Sequence, residues 1–80
     1  MLKIKDNVSI KDLEYFGFKD GERSEYRPNS KVTIGSDKKI HLLIYSNPSK
    51  IPLEMFDESV VAAYTDDLIK ADLVEKVDDK

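Results

Sequence analysis

Two hydrophobic periods alternate along the chain, one of three to four residues and one of two, and they divide it into helical and extended stretches. Ile10, Leu13 and Phe16 recur at three-residue spacing and predict a short helix over residues 9–16 that turns this side to the core. Ser9 suits its N-cap, because a hydroxyl accepts a hydrogen bond from a free backbone N–H. Asp12 three residues on fits a capping box and the positive helix end. Val8 and Leu13 fit a hydrophobic staple, and Gly17 a left-handed C-cap. Residues 19–30 are polar. Asp20-Gly21 signals a tight turn. Residues 22–27 read as an edge strand, with Tyr26 the one strong β-former and Pro28-Asn29 its end.

A period of two follows. Val32-Thr33-Ile34 and residues 39–45 flank Gly35-Ser36-Asp37-Lys38, a hairpin signature. Ile40, Leu42 and Ile44 share one face of the second strand, and His41, Leu43 and Tyr45 the other. A strand apolar on both faces is expected inside its sheet. The prolines of Asn47-Pro48-Ser49-Lys50-Ile51-Pro52 predict a loop. From Asp57 or Ser59 to Ala71 the period is again helical. Val60, Val61, Tyr64, Leu68 and Ala71 make one apolar stripe, with Thr65, Asp66, Asp67 and Lys70 off it. Leu73-Val74-Glu75-Lys76-Val77 reads as a strand and residues 78–80 as a frayed end. The expected fold is α+β: one small, mainly antiparallel sheet of three or four strands. A C-terminal amphipathic helix packs on one face, and the short N-terminal helix lies near an edge.

Eighty residues, 40% of them hydrophobic and 36% charged, make one soluble domain spanning 1–80. The absence of cysteine excludes disulfides, thiolate metal sites and thiol catalysis. The opening residues lack a signal-peptide core. The longest apolar run, Leu42-Leu43-Ile44-Tyr45, falls far short of the ~20 residues that span a bilayer. A cytoplasmic protein without a membrane partner is expected.

Val8-Ser9-Ile10-Lys11-Asp12-Leu13-Glu14-Tyr15-Phe16-Gly17-Phe18-Lys19 resembles the opening of small uncharacterised proteins of phages and prophages of Gram-positive bacteria. Residues 66–77 are similar to the endings of the same proteins. The resemblance covers 24 of the 80 residues. It departs at Asp72, where a helix-ending Gly is expected. It implies an accessory protein of unassigned function and carries over no catalytic residue.

Candidate chemistry is sparse. The one histidine, His41, lies within a strand. As a structural group it is a half-buried sheet histidine; as a functional one it is a pH-sensitive or ligand-contacting group. Asp66 and Asp67 are adjacent on a helix and therefore point about 100° apart, which suits a solvated face better than paired-carboxylate catalysis. The isolated Gly17, Gly21 and Gly35 make no phosphate loop. Neither an enzyme nor a bound cofactor or metal is expected. Tyr15 and Tyr64 read as core or core-edge, whereas Tyr26, between Arg23 and Arg27, and Tyr45 read as exposed aromatics that could anchor a contact.

Charge is asymmetric. Residues 1–53 carry ten Lys/Arg against seven Asp/Glu, a net of +3, and residues 54–80 carry three against nine, a net of −6. This favours a non-enzymatic module that acts by protein–protein contact, with Arg23, Tyr26, Arg27, His41, Tyr45, Asp66 and Asp67 as the candidate interaction surface. A homodimer through a sheet edge is a second expectation. The alternative is a nucleic-acid-binding accessory using Arg23, Tyr26, Arg27, Lys31, Lys38 and Lys39. An overall net charge of −3 makes nucleic acid the less expected partner.

Overall fold

A computed structural model describes residues 1–26, 29–45 and 51–77, the side chains of Glu25 and Tyr26 excepted. Arg27, Pro28, the loop residues 46–50 and the end 78–80 lie outside the described residues.

The chain is α+β, with two antiparallel sheets where one was expected. The larger has the order β2–β3–β4–β5, from strands Glu22–Tyr26, Asn29–Ile34, Ile40–Tyr45 and Pro52–Met55. The smaller pairs β1, Leu2–Ile4, with β6, Val74–Lys76. β1 and β5 carry no clear signal in the sequence. β1 is three residues long, and β5 begins at a proline. Proline is tolerated there because β5 is an edge strand.

The N-terminal helix is a 3-10 helix, Ile10–Phe16, and its caps are those expected. The Ser9 hydroxyl accepts from the Lys11 N–H at 3.1 Å, and the Asp12 carboxylate from the Ser9 N–H at 3.1 Å. Gly17 has φ +88°, and the Phe18 N–H reaches back to the Leu13 carbonyl. In a 3-10 helix residues three apart eclipse, so Ile10, Leu13 and Phe16 share one side. Leu13 is fully buried and the other two pack against the core. Tyr15 departs from expectation: it points away from that side and is 94% exposed.

Asp20 and Gly21, at φ +53° and +78°, form a two-residue hairpin turn closed by reciprocal bonds between Lys19 and Glu22. β4 is internal, as its two apolar faces require. Ile40 and Leu42 join Ile4, Val8, Leu13, Phe18, Val32, Val61 and Leu68 in the core.

The expected single C-terminal helix is two: α1, Glu58–Tyr64, and α2, Asp66–Lys70. The break falls at Thr65, which leaves helical geometry at φ −123°, is fully buried and donates its hydroxyl to the Val61 carbonyl at 2.9 Å. Val61 and Leu68, on either side of the break, lie in the core, whereas Ala71, expected on the stripe, is exposed.

Asp57 caps α1, accepting from the Ser59 N–H at 3.0 Å and the Ser59 hydroxyl at 2.6 Å. These bonds hold its carboxyl below the usual carboxylate value of 3.8. A carboxylate depressed in the folded state adds stability that is complete above its unfolded pKa and is lost as pH falls through the lower folded value. Asparagine caps equally well but does not titrate. Asp57→Asn should therefore match the wild-type urea midpoint at neutral pH and lose less of it below about pH 4. An unchanged acid limb would contradict this.

α2 ends in a left-handed residue at the position where glycine was expected. Asp72 has φ +62°, its N–H bonds to the Ile69 carbonyl, and the Leu73 N–H bonds to the Leu68 carbonyl. The exposed Asp72 carboxylate meets Lys5 at 2.8 Å. Asp72→Gly relieves more backbone strain than the exposed ion pair supplies, so stability should rise by about 0.5 kcal/mol. The thermal midpoint should then rise by about 2–4 °C. A lower midpoint would show that the ion pair dominates.

Candidate functional site

Row pairing divides the larger sheet into two faces. Arg23, Val32, Leu42 and Met55 lie opposite one another across it, on the face covered by the helices. Thr33 and His41, then Lys31, Leu43 and Glu54, lie on the other face.

Arg23, expected at an interaction surface, is committed inside the fold and only 13% exposed. One guanidinium nitrogen donates to the Phe16 carbonyl at 2.9 Å and the Asp67 carboxylate at 2.6 Å. The other donates to the Tyr64 carbonyl at 3.0 Å and again to Asp67 at 3.3 Å. The group stacks 4.6 Å from the centroid of the Phe18 ring. Phe16 ends the 3-10 helix and Tyr64 ends α1, so Arg23 caps both helix ends with one planar group. Asp67 is thus a partner of Arg23, whereas Asp66 pairs with Lys70 at 2.9 Å on the surface.

His41 and Tyr45 lie on the sheet face away from the helices, both half-buried. His41 Nδ1 is 2.9 Å from the Glu54 carboxylate. A carboxylate only accepts, so Nδ1 carries the proton. The ring's Nε2 faces Gly35: a Cβ added there would stand 3.6 Å from it and 2.9 Å from the Asp37 carboxylate. His41 on β4 thus ties down edge strand β5 through Glu54, with its ring beside the β3–β4 turn. Lys31 bonds Glu22 at 2.9 Å, and that hydrogen bond, helped by the charges of Glu22 and Tyr45, raises its pKa. Of these candidates the structure brings together His41 and Tyr45 on one face and Arg23 and Asp67 in one pair. Tyr26 is placed only by its backbone in β2, and Arg27 is outside the described residues.

Three members of the expected basic cluster are engaged within the fold. Arg23 and Lys31 are paired, and the Lys38 ammonium donates to the Asp6 and Val8 carbonyls at 2.9 and 2.6 Å. Among the described residues no group of three or more His, Asp or Glu side chains is placed to hold a metal ion. No helix is long and apolar enough to cross a membrane among those residues.

The outer edge of β5 is the feature that sequence reasoning missed. Ile51 is 69% exposed, Leu53 62% and Phe56 79%. Leu53 faces the same side as its β4 partner Ile44. The Leu53-Glu54-Met55 alternation was the available signal, too short beside two prolines to stand out. Which backbone groups of β5 point outward follows from the turns. Gly35 donates to the Lys39 carbonyl, and Ile34 to the Gly21 carbonyl. In an antiparallel ladder hydrogen-bonded pairs alternate, so β4 turns its odd residues to β3 and its even residues to β5. Leu53 and Met55 then bond β4, and the main-chain groups of Pro52 and Glu54 face outward. β1 meets the same side of β4 further along, where Ile4 donates to the Lys38 carbonyl at 2.8 Å. Between β1 and β5 a cavity of about 80 Å³ opens, lined by Leu2, Ile40, Met55, Phe56 and Val61 with Glu54 and Glu58. It admits one side chain at most.

Comparison with protein-family models, with curated proteins and with solved structures found no match to this chain.

Proposed function

We propose that the chain is a non-enzymatic accessory protein, of the phage or prophage kind its terminal segments resemble, that binds a protein strand along β5. The observation that carries this reading is the exposure of Leu53 on an edge strand with outward main-chain groups, and of Ile51 and Phe56 at its two ends. Such an edge is a template for a further strand, whose affinity comes from main-chain bonds and its specificity from side chains at alternate positions. The engagement of Arg23, Lys31 and Lys38 within the fold leaves the nucleic-acid alternative with less support.

The test compares wild-type protein with Leu53→Lys and a Tyr15→Ser control in capture from a lysate of the source organism. Leu53 and Tyr15 are both exposed, so each variant should stay within about 0.5 kcal/mol of wild-type stability. The reading expects a specific protein retained by wild type and the control and lost with Leu53→Lys. Equal capture by all three would overturn it.

A further inference from the structure

We infer that the strand accepted by β5 is the β5 of a second copy of this chain, running antiparallel across a two-fold axis at Leu53. The inference rests on the edge reading and names its occupant. It follows from the pattern of groups along the edge.

Only Pro52 and Glu54 turn their main-chain groups outward from β5, and proline has no N–H to give. A two-fold antiparallel pairing can be centred on Leu53 or on Glu54. Centred on Glu54, it sets two carboxylates directly opposite each other, an unfavourable pair. Centred on Leu53, it sets each Glu54 opposite the other copy's Pro52. Each Glu54 N–H then meets a Pro52 carbonyl, and the missing proline N–H is the only donor lost from each pair. On the other face Leu53 meets Leu53, and Ile51 meets Met55 on both sides of the axis. These side chains extend the face that Leu42 and Ile44 begin, so the exposed leucines cover each other. One register thus satisfies the charges, the main-chain donors and the apolar side chains together. The product is a continuous sheet of eight strands with an isologous interface. Two main-chain bonds and a short strand make it a weak dimer, populated at high protein concentration.

The absence of cysteine makes single-cysteine trapping clean. In this register the two Leu53 Cα atoms form a non-hydrogen-bonded pair about 4.5 Å apart, within disulfide reach. The two Glu54 Cα atoms stand roughly 8 Å apart, beyond it. Under mild oxidation Leu53→Cys should form a disulfide dimer at least about tenfold faster than Glu54→Cys or Tyr15→Cys, since only the first has bonding geometry. Sedimentation equilibrium of wild type should show a reversible monomer–dimer equilibrium that Leu53→Lys abolishes. A wild type monomeric at every concentration, or trapping no faster at Leu53 than at the other two positions, overturns the second copy. If the second copy fails but Leu53→Lys still abolishes capture from the lysate, the edge stands with a foreign strand as its occupant. If both fail, the edge reading falls as well.

Discussion

Arg23→Ala is expected to cost about 3 kcal/mol, more than half of the roughly 5 kcal/mol that holds a domain of this size together. The substitution removes the four described donor contacts, among others, at once. It uncaps the Phe16 and Tyr64 carbonyls, frees the Asp67 carboxylate and strips the stacked cation from Phe18. Hydrogen bonds to a charged group contribute about 1.5–3 kcal/mol, and partly buried carbonyls left unmatched add to the loss. Lysine carries the charge on one ammonium and cannot reach two helix ends and a carboxylate with a planar fork, so Arg23→Lys should still cost about 2 kcal/mol. Asp67→Ala leaves both carbonyl caps in place and should cost about 1 kcal/mol, since its carboxylate is 45% exposed. Urea unfolding of the three variants gives the order directly. An Arg23→Ala protein within about 0.5 kcal/mol of wild type would show that the helix ends are satisfied without it.

Ile4→Ala is expected to cost about 3 kcal/mol, a large effect from a three-residue strand. Ile4 is fully buried, and its backbone joins the two sheets through the Lys38 carbonyl. Truncation removes apolar contact and leaves a cavity that the surrounding strands, held by their ladders, close only in part. Ile4→Val, which removes one methylene, should cost about 1 kcal/mol. Equal costs for the two would show that the site collapses around the smaller side chain. The measurement is the same urea midpoint series.

What was legible in the sequence was local. Ser9, Asp12 and Gly17 define the N-terminal helix through contacts within five residues, Asp20-Gly21 defines a hairpin by backbone preference, and the Gly35–Lys38 turn closes on itself with the Asp37 carboxylate accepting from the Lys39 N–H. The C-terminal stripe was legible as a period and misleading as a length. Nothing in residues 57–71 breaks a helix outright. The break at Thr65 is held from outside, by an arginine 42 positions earlier in the chain that takes the freed Tyr64 carbonyl. The same distance hid the role of Arg23: as sequence it is one cation beside a tyrosine. β1 escaped because three residues cannot display a period, and its pairing partner lies at the other end of the chain. β5 escaped because Pro52, with Pro48 before it in the sequence, reads as a loop. The candidate site followed suit, since an open edge is a property of topology, and no short segment carries it.

The central claim is that β5 presents its outer main-chain groups for pairing, and amide hydrogen exchange at three consecutive residues tests it most directly. The Leu53 and Met55 amides, bonded to β4, should be protected at every protein concentration. The Glu54 amide should exchange freely in dilute protein and gain protection as concentration rises, with its neighbours unchanged. A Glu54 amide as protected as Leu53 in dilute protein would contradict the account; one that gains no protection at any concentration would remove the second copy as the occupant of the edge.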